Sequence, residues 1–158
     1  MLNKLIDRIR RNHGLEHATI TLMLARQGPT RVLGRSDHGG FYVYARVETD
    51  RLREYAEEAL ARMQRGEANL AISPMCGTNI VVAGVLAGVG SSIALGRSER
   101  GEGIPRAIMA SLLAVVASQP IGRLVQKYAT TSPDMGGVSI VSVERVGGGA
   151  HRVRTAFA

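Results

Sequence analysis

The chain carries two long runs without a charged side chain, at 68–96 and 107–122, separated by a polar connection at 97–106. Residues 78–95 of the first run can form one apolar helix of about 18 residues, near the lower limit for a membrane span. The second run is shorter, and Pro120 near its end can kink a helix. The pattern predicts a hydrophobic helical hairpin, 78–122, inserted between an N-terminal α/β part and a C-terminal β-hairpin.

The surroundings of this hairpin do not follow from periodicity, because lipid and a protein interior both require helices that are apolar on all sides. We expect membrane insertion; the alternative is a soluble buried hairpin or an oligomer core. Gly84 and Gly88 would let another helix approach closely, which makes a homo-oligomer through small-residue helix faces a candidate. The basic N-terminal region shows no cleavable signal, so we expect the cytoplasmic membrane, with the soluble part on the cytoplasmic side.

The remaining sequence predicts a single α+β domain. Apolar spacing indicates a long first helix that ends at Gly28-Pro29, and Asp50 is placed to cap a second, amphipathic helix. Runs of strand formers separated by glycine turns predict two hairpins, and a short additional strand would join them in one small mixed β-sheet. The predicted helices are 2–27 and 51–65, and the predicted strands are 30–36, 41–47, 69–73, 138–146 and 152–157.

The first helix contains the pentapeptide His13-Gly14-Leu15-Glu16-His17. Positions three and four apart lie on one helix face, so both imidazoles and the carboxylate continue the apolar stripe that runs from Leu2 to Leu24. A buried carboxylate beside two imidazoles is costly unless something pairs with it, and a cation is a good partner. The pentapeptide also matches H-x-x-E-H, in which two histidines hold zinc and the glutamate activates water. A polar cluster satisfied by backbone and water is the alternative.

A catalytic zinc site usually has three protein ligands, and Cys76 is the favoured third. It is the only cysteine, which excludes an internal disulfide, and it lies in a turn just before the first hydrophobic helix, where a helix N-terminus would stabilise a thiolate. The alternative is a buried structural thiol. His38, beside Asp37 in a hairpin turn, is a less certain ligand, since turn histidines are usually solvent-exposed. His151 is interpreted as a surface strand residue.

The formal charge of +7 and the pI of about 10.5 first suggest a nucleic-acid partner. The basic residues are spread along the chain, however, and aromatic side chains make up only 4% of it, so stacking platforms are scarce. A basic surface facing anionic membrane lipid fits these numbers better. Nucleic acid is therefore not an expected partner, and membrane lipid is.

Four stretches carry a resemblance to an uncharacterised bacterial family, the one catalogued as domain of unknown function 6391: 13–20, 34–36, 39–44 and 76–79. The chain is more distantly similar to domain of unknown function 1385, described as predicted metal-dependent membrane enzymes, which combine an H-G-x-E-H element with a later H-P-x-C-G-T element. The resemblance implicates His13, Glu16 and His17, followed by Cys76-Gly77-Thr78. Ser73 replaces the histidine of the second element, so this chain departs from the pattern there.

Together, these patterns lead to the hypothesis of a membrane-associated zinc-dependent hydrolase, with peptides as the expected substrates. His13, His17 and Cys76 would hold zinc or another divalent transition metal, and Glu16 would take a proton from water and pass it to the leaving group. The alternative is a non-enzymatic membrane protein with a structural metal or polar site. Structural zinc sites have four protein ligands, and His38 could then be the fourth.

Overall fold

The computed structural model describes residues 2–96 and 103–158, so most of the predicted connection at 97–106 lies outside the described residues. The chain forms two compact units: Met1–Ser73 with Lys127–Ala158, and Pro74–Gln126, which contains the predicted hairpin. The helices are α1 (Leu2–Gln27), α2 (Thr49–Gln64), α3 (Gly77–Gly96) and α4 (Gly103–Val125), with a 3₁₀ turn at Ala68–Ala71 and a π-helical turn at Gln126–Thr130. The strands are β1 (Val32–Asp37), β2 (Gly40–Ala45), β3 (Val138–Arg145) and β4 (Ala150–Phe157).

The first unit is built on a four-stranded sheet in the order β1-β2-β4-β3, with α1 and α2 packed against it. The predicted α+β class is confirmed. The expectation of a mixed sheet was wrong, because every neighbouring pair is antiparallel. The strand predicted at 69–73 was also wrong: Ala68–Ala71 forms the 3₁₀ turn, which packs against α1.

Helix α1 has the predicted bounds, and Gly28 follows it with a φ of 80°, a conformation that glycine adopts without strain. The predicted apolar stripe is correct only for its second half. Leu2, Leu5 and Ile6 are exposed, whereas the middle of the helix is buried on nearly all sides, and even the polar residue Asn12 is fully buried. The reason is that the sheet, α2 and the 3₁₀ turn surround the middle of α1.

Helix α2 is amphipathic, as predicted. Its buried residues are Leu52, Tyr55, Ala56, Ala59, Leu60 and Met63, and all of them except Tyr55 belong to one core cluster with Leu15 and Phe41. The helix begins two residues earlier than predicted. Its N-cap residue is Glu48, whose side chain makes no capping hydrogen bond, and Asp50 lies in the first turn instead of at the cap. The first-turn amides of α2 therefore have no side-chain cap.

The second unit consists of α3 and α4, which pack against each other. Their contact includes Ser91 and Ser111, whose hydroxyl oxygens are 2.8 Å apart, and Gly90, which faces Ala110. Within the described part of the chain, no atom lies within 4 Å of where a side chain on Gly84 or Gly88 would begin, so these glycines do not form the α3–α4 contact. Both helical segments are long and apolar enough to cross a membrane.

We expect Leu15→Ala to lower the free energy of unfolding of the first unit by about 2–5 kcal/mol, because Leu15 is fully buried and its truncation leaves a cavity. Leu33→Ala is the matched control: Leu33 is 65% exposed, and its replacement should change stability by less than about 0.5 kcal/mol. Denaturation followed by tyrosine fluorescence measures this, because all four tyrosines lie in the first unit. Equal effects of the two variants would contradict the described core.

Candidate metal centre

Two imidazoles lie one above the other in the middle of α1. The rings of His13 and His17 are 4.4 Å apart, centre to centre. The Nδ1 atom of His13 is 2.9 Å from the carbonyl oxygen of Thr130, and that of His17 is 2.8 Å from the carbonyl oxygen of Ala71. Since a carbonyl oxygen only accepts, each Nδ1 must donate, and Nε2 is the lone-pair nitrogen of each neutral ring. This is how metal-binding histidines are usually oriented.

The carboxylate of Glu16 lies against strand β1, and only 5% of the residue is exposed. The hydroxyl of Ser36 donates to Oε2 of Glu16, and the carboxylate occupies the place where a side chain on Gly34 would begin. These contacts were not predicted from the sequence. Gly34 and Ser36 do belong to one of the stretches that carry the family resemblance, which was the available signal.

Helix α1 is held closely against the segment that precedes β3. Gly14 lies so near Ser132 that any larger residue would collide with the backbone carbonyl oxygen of Ser132. The amide of Ser132 donates to the carbonyl of Arg10 over 2.9 Å, and the Arg10 guanidinium donates to the carbonyls of Tyr128 and Thr131, each over 3.1 Å. These contacts hold the chain on both sides of Thr130, whose carbonyl orients His13.

Cys76 directly precedes α3, as predicted, and is buried. The amide of Thr78 donates to its Sγ over 3.4 Å, an interaction that stabilises a thiolate. Cys76 follows Ala71, the hydrogen-bond partner of His17, by only five residues. Cys76 belongs to the second unit, whereas His13 and His17 belong to the first. All three side chains are of the types that zinc prefers as ligands.

The other two histidines lie elsewhere. His38 is exposed in the β1–β2 turn. Asp37 does not orient His38: its carboxylate makes two 2.8 Å hydrogen bonds with the Arg152 guanidinium and accepts from the amide of Gly39. The surface position expected for His151 was wrong, because β4 pairs on both sides and the residue is buried.

The chain belongs to the family described as domain of unknown function DUF6391, whose model matches residues 8–143. An uncharacterized protein of Picosynechococcus sp. (strain ATCC 27264 / PCC 7002 / PR-6) is 40% identical in an alignment 83 residues long, which covers 47% of this chain and 40% of that protein. The matched region therefore spans less than half of this relative's length. No solved structure matches the chain. The resemblance to domain of unknown function 6391 seen in the sequence is confirmed.

A double-mutant cycle tests the contact between Glu16 and β1. Gly34→Ala should destabilise the first unit by about 1–3 kcal/mol, because the added methyl group overlaps the Glu16 carboxylate. In a Glu16→Ala background, the same change should cost less than about 0.5 kcal/mol, since the overlap is gone. Tyrosine-detected denaturation gives all four values. An identical cost in both backgrounds would show that Glu16 does not lie on Gly34.

The ion pair between Asp37 and Arg152 predicts a pH dependence of stability. Hydrogen bonds from Arg152 lower the pKa of the Asp37 carboxyl in the folded state. Its contribution to stability is therefore complete above about pH 5 and is lost as the pH falls below about 4, through the lowered folded-state pKa. Asp37→Asn should destabilise the protein at neutral pH, and its difference from wild type should shrink in acid. A difference that stays constant down to pH 2 or so would contradict the pair.

Proposed function

We propose that this protein is a membrane-associated zinc-dependent hydrolase, with peptides as the favoured substrate class. In this proposal, His13, His17 and Cys76 hold the metal and Glu16 is the general base. The observation that carries the proposal is the orientation of the two rings: backbone carbonyls engage both Nδ1 atoms, so that Nε2 is the ligating nitrogen of each, beside a buried carboxylate.

The donor set fits zinc. Two imidazole nitrogens and one thiolate sulfur are ligands that zinc prefers, and three protein ligands are the usual number in a catalytic site. The carbonyls of Ala71 and Thr130 supply the outer hydrogen bonds that raise the basicity of metal-binding histidines. When bound, zinc would polarise a substrate carbonyl and lower the pKa of water. The distant likeness to the predicted metal-dependent enzymes of domain of unknown function 1385 is part of this proposal.

Glu16 is suited to move the proton. Glu16 lies three residues after His13 and therefore beside it on one face of α1, and His17 follows it directly in the chain. The hydroxyl of Ser36 engages Oε2 and fixes the rotamer of the side chain. In the proposed reaction, the carboxylate accepts a proton from the attacking water and then donates it to the leaving amine. Ser36 and Gly34 act only by positioning this carboxylate.

The apolar helices support lipid as a partner. Only 6% of the most apolar window of α3, and 17% of that of the segment Gly103–Thr130, is buried within the protein. Exposing this much apolar surface to water would cost about 25 cal/mol per Å², whereas a bilayer accepts it. We propose that both helices span the cytoplasmic membrane with the first unit on the cytoplasmic side. The open faces of Gly84 and Gly88 are where a second copy would pack.

A structural role is the second candidate, and one observation favours it. His13 and His17 each form a hydrogen bond with a backbone carbonyl, and Glu16 accepts one from a hydroxyl. These hydrogen bonds stabilise the three buried polar side chains whether or not the protein catalyses a reaction. A structural zinc would have four protein ligands and no position for water. Under this alternative, Glu16 orients its neighbours. The fourth ligand suggested by the sequence was His38, which lies exposed in the β1–β2 turn, so a structural site would need His38 to move or another residue to complete it.

Glu16→Gln separates the two roles. We expect this variant to keep zinc at the wild-type stoichiometry but to hydrolyse a pool of quenched fluorescent peptides about 10²–10⁴ times more slowly, because only proton transfer is lost. Glu144→Gln, at an exposed position on β3, is the matched control and should behave as wild type. Zinc-dependent turnover that survives Glu16→Gln would exclude Glu16 as the base.

Zinc content tests the ligand set. His17→Ala and Cys76→Ser should each lower bound zinc well below stoichiometric amounts, measured by elemental analysis of protein purified without chelators. His38→Ala should leave the zinc content unchanged. Zinc that persists in Cys76→Ser would rule out the thiol as a ligand, and zinc that is lost in His38→Ala would favour the structural alternative.

A further inference from the structure

The first unit contains a polar pocket at the end of the sheet where β2 leads into α2. Its volume is about 410 Å³. Its charged and polar lining consists mainly of Arg46, Glu48, Arg51, Arg145 and His151, with Gly149 in the β3–β4 turn. We propose that this pocket binds the phosphate group of a small ligand.

The charge of the lining favours an anion. Three guanidinium groups face one carboxylate, that of Glu48. Arg51 forms an ion pair with Glu54 at 2.9 Å. Over residues 2–96 and 103–158, the side chains of Arg46 and Arg145 make no ion pair or hydrogen bond. Two arginines that lack a partner at one pocket can grip a phosphate through several charged hydrogen bonds.

The backbone of α2 adds to this charge. Glu48 and Arg51 lie at the N-terminus of this 16-residue helix, where the first amides point outward and carry the positive end of the helix dipole. No side chain caps these amides. Two other lining residues are joined by a backbone hydrogen bond, in which the amide of Ala45 donates to the carbonyl of Gly149 over 3.3 Å.

His151 is an independent indication of a ligand. The residue is 2% exposed and lines the pocket, yet its Nδ1 is buried with no hydrogen-bond partner among the described residues. A buried polar atom without a partner is costly and rare in folded proteins. Burial and the nearby Arg145 charge lower the pKa of this histidine, so the ring is neutral at pH 7. In the neutral tautomer that carries its hydrogen on Nδ1, this nitrogen would donate a hydrogen bond to a phosphate oxygen.

The volume of the pocket indicates a ligand larger than phosphate alone. Small-molecule sites usually measure about 300–1,000 Å³, and Ala45 and Val47 give this one an apolar part for an organic group. A soluble phosphate ester and a lipid headgroup share this chemistry. The pocket lining includes none of the proposed metal ligands His13, His17 and Cys76. Gln27, which does line the pocket, lies about 15 Å along α1 from His17. The two proposals are therefore independent.

Titration calorimetry of the full chain with glycerol phosphate, in a maltoside detergent that contains no phosphate, tests the pocket. We expect saturable binding to the wild type and a loss of at least about tenfold in affinity in Arg46→Gln/Arg145→Gln. Arg154→Gln removes an exposed arginine of β4 outside the pocket and should bind as wild type. A wild type that binds neither glycerol phosphate here nor the phosphatidic acid nanodiscs described below, or an equal loss in Arg154→Gln, would overturn the proposal.

Nitrogen NMR of histidine-labelled protein identifies the site and the source of the phosphate. The chain has only four histidines, and the signal missing in His151→Gln assigns Nδ1 of His151. We expect this signal to shift with glycerol phosphate if the ligand is soluble. If the ligand is a lipid, we expect the shift in phosphatidylcholine nanodiscs that contain phosphatidic acid but not in phosphatidylcholine alone. No shift under either condition would overturn the proposal.

Discussion

The buried carboxylate of Glu16 is the constraint on which the first unit depends. Glu16 is only 5% exposed. A buried carboxylate is costly unless polar groups donate hydrogen bonds to it. Strand β1 meets this need with a glycine that leaves room for the carboxylate and a serine that donates to it. Because Gly34 and Ser36 belong to the same strand, the position of Glu16 also fixes how α1 lies on the sheet.

A second glycine lets α1 pack closely against another segment of the first unit. Gly14 lets the helix approach Ser132, and the chain around it brings the carbonyl of Thr130 to His13. The 3₁₀ turn brings the carbonyl of Ala71 to His17. Backbone carbonyl oxygens of Thr130 and Ala71 thus fix the orientation of both imidazole rings. These two residues, and Ser36 at Glu16, are all distant in sequence from the α1 residues that they contact. Such preorganisation is what a metal site requires before any ion arrives.

The sequence predicted local features well and long-range ones poorly. The bounds of α1 followed from apolar spacing and Gly28-Pro29, because a helix is a local structure. The burial of Asn12 and of His151 could not be predicted from the sequence. The burial of each residue depends on which helices and strands pack around it in the folded protein. The H-x-x-E-H spacing indicated the two imidazoles and the carboxylate, but not Ser36, whose contact with Glu16 joins residues twenty positions apart.

The central claim is that one metal ion is bound by two imidazoles of α1 and the thiol of Cys76. Zinc K-edge X-ray absorption of the purified protein tests it most directly, because sulfur and nitrogen scatter at distinct distances. We expect one sulfur at about 2.3 Å and nitrogen or oxygen neighbours at about 2.0–2.1 Å, with the imidazole signature of two histidines. A spectrum without sulfur, or with zinc bound only by oxygen, would contradict the account.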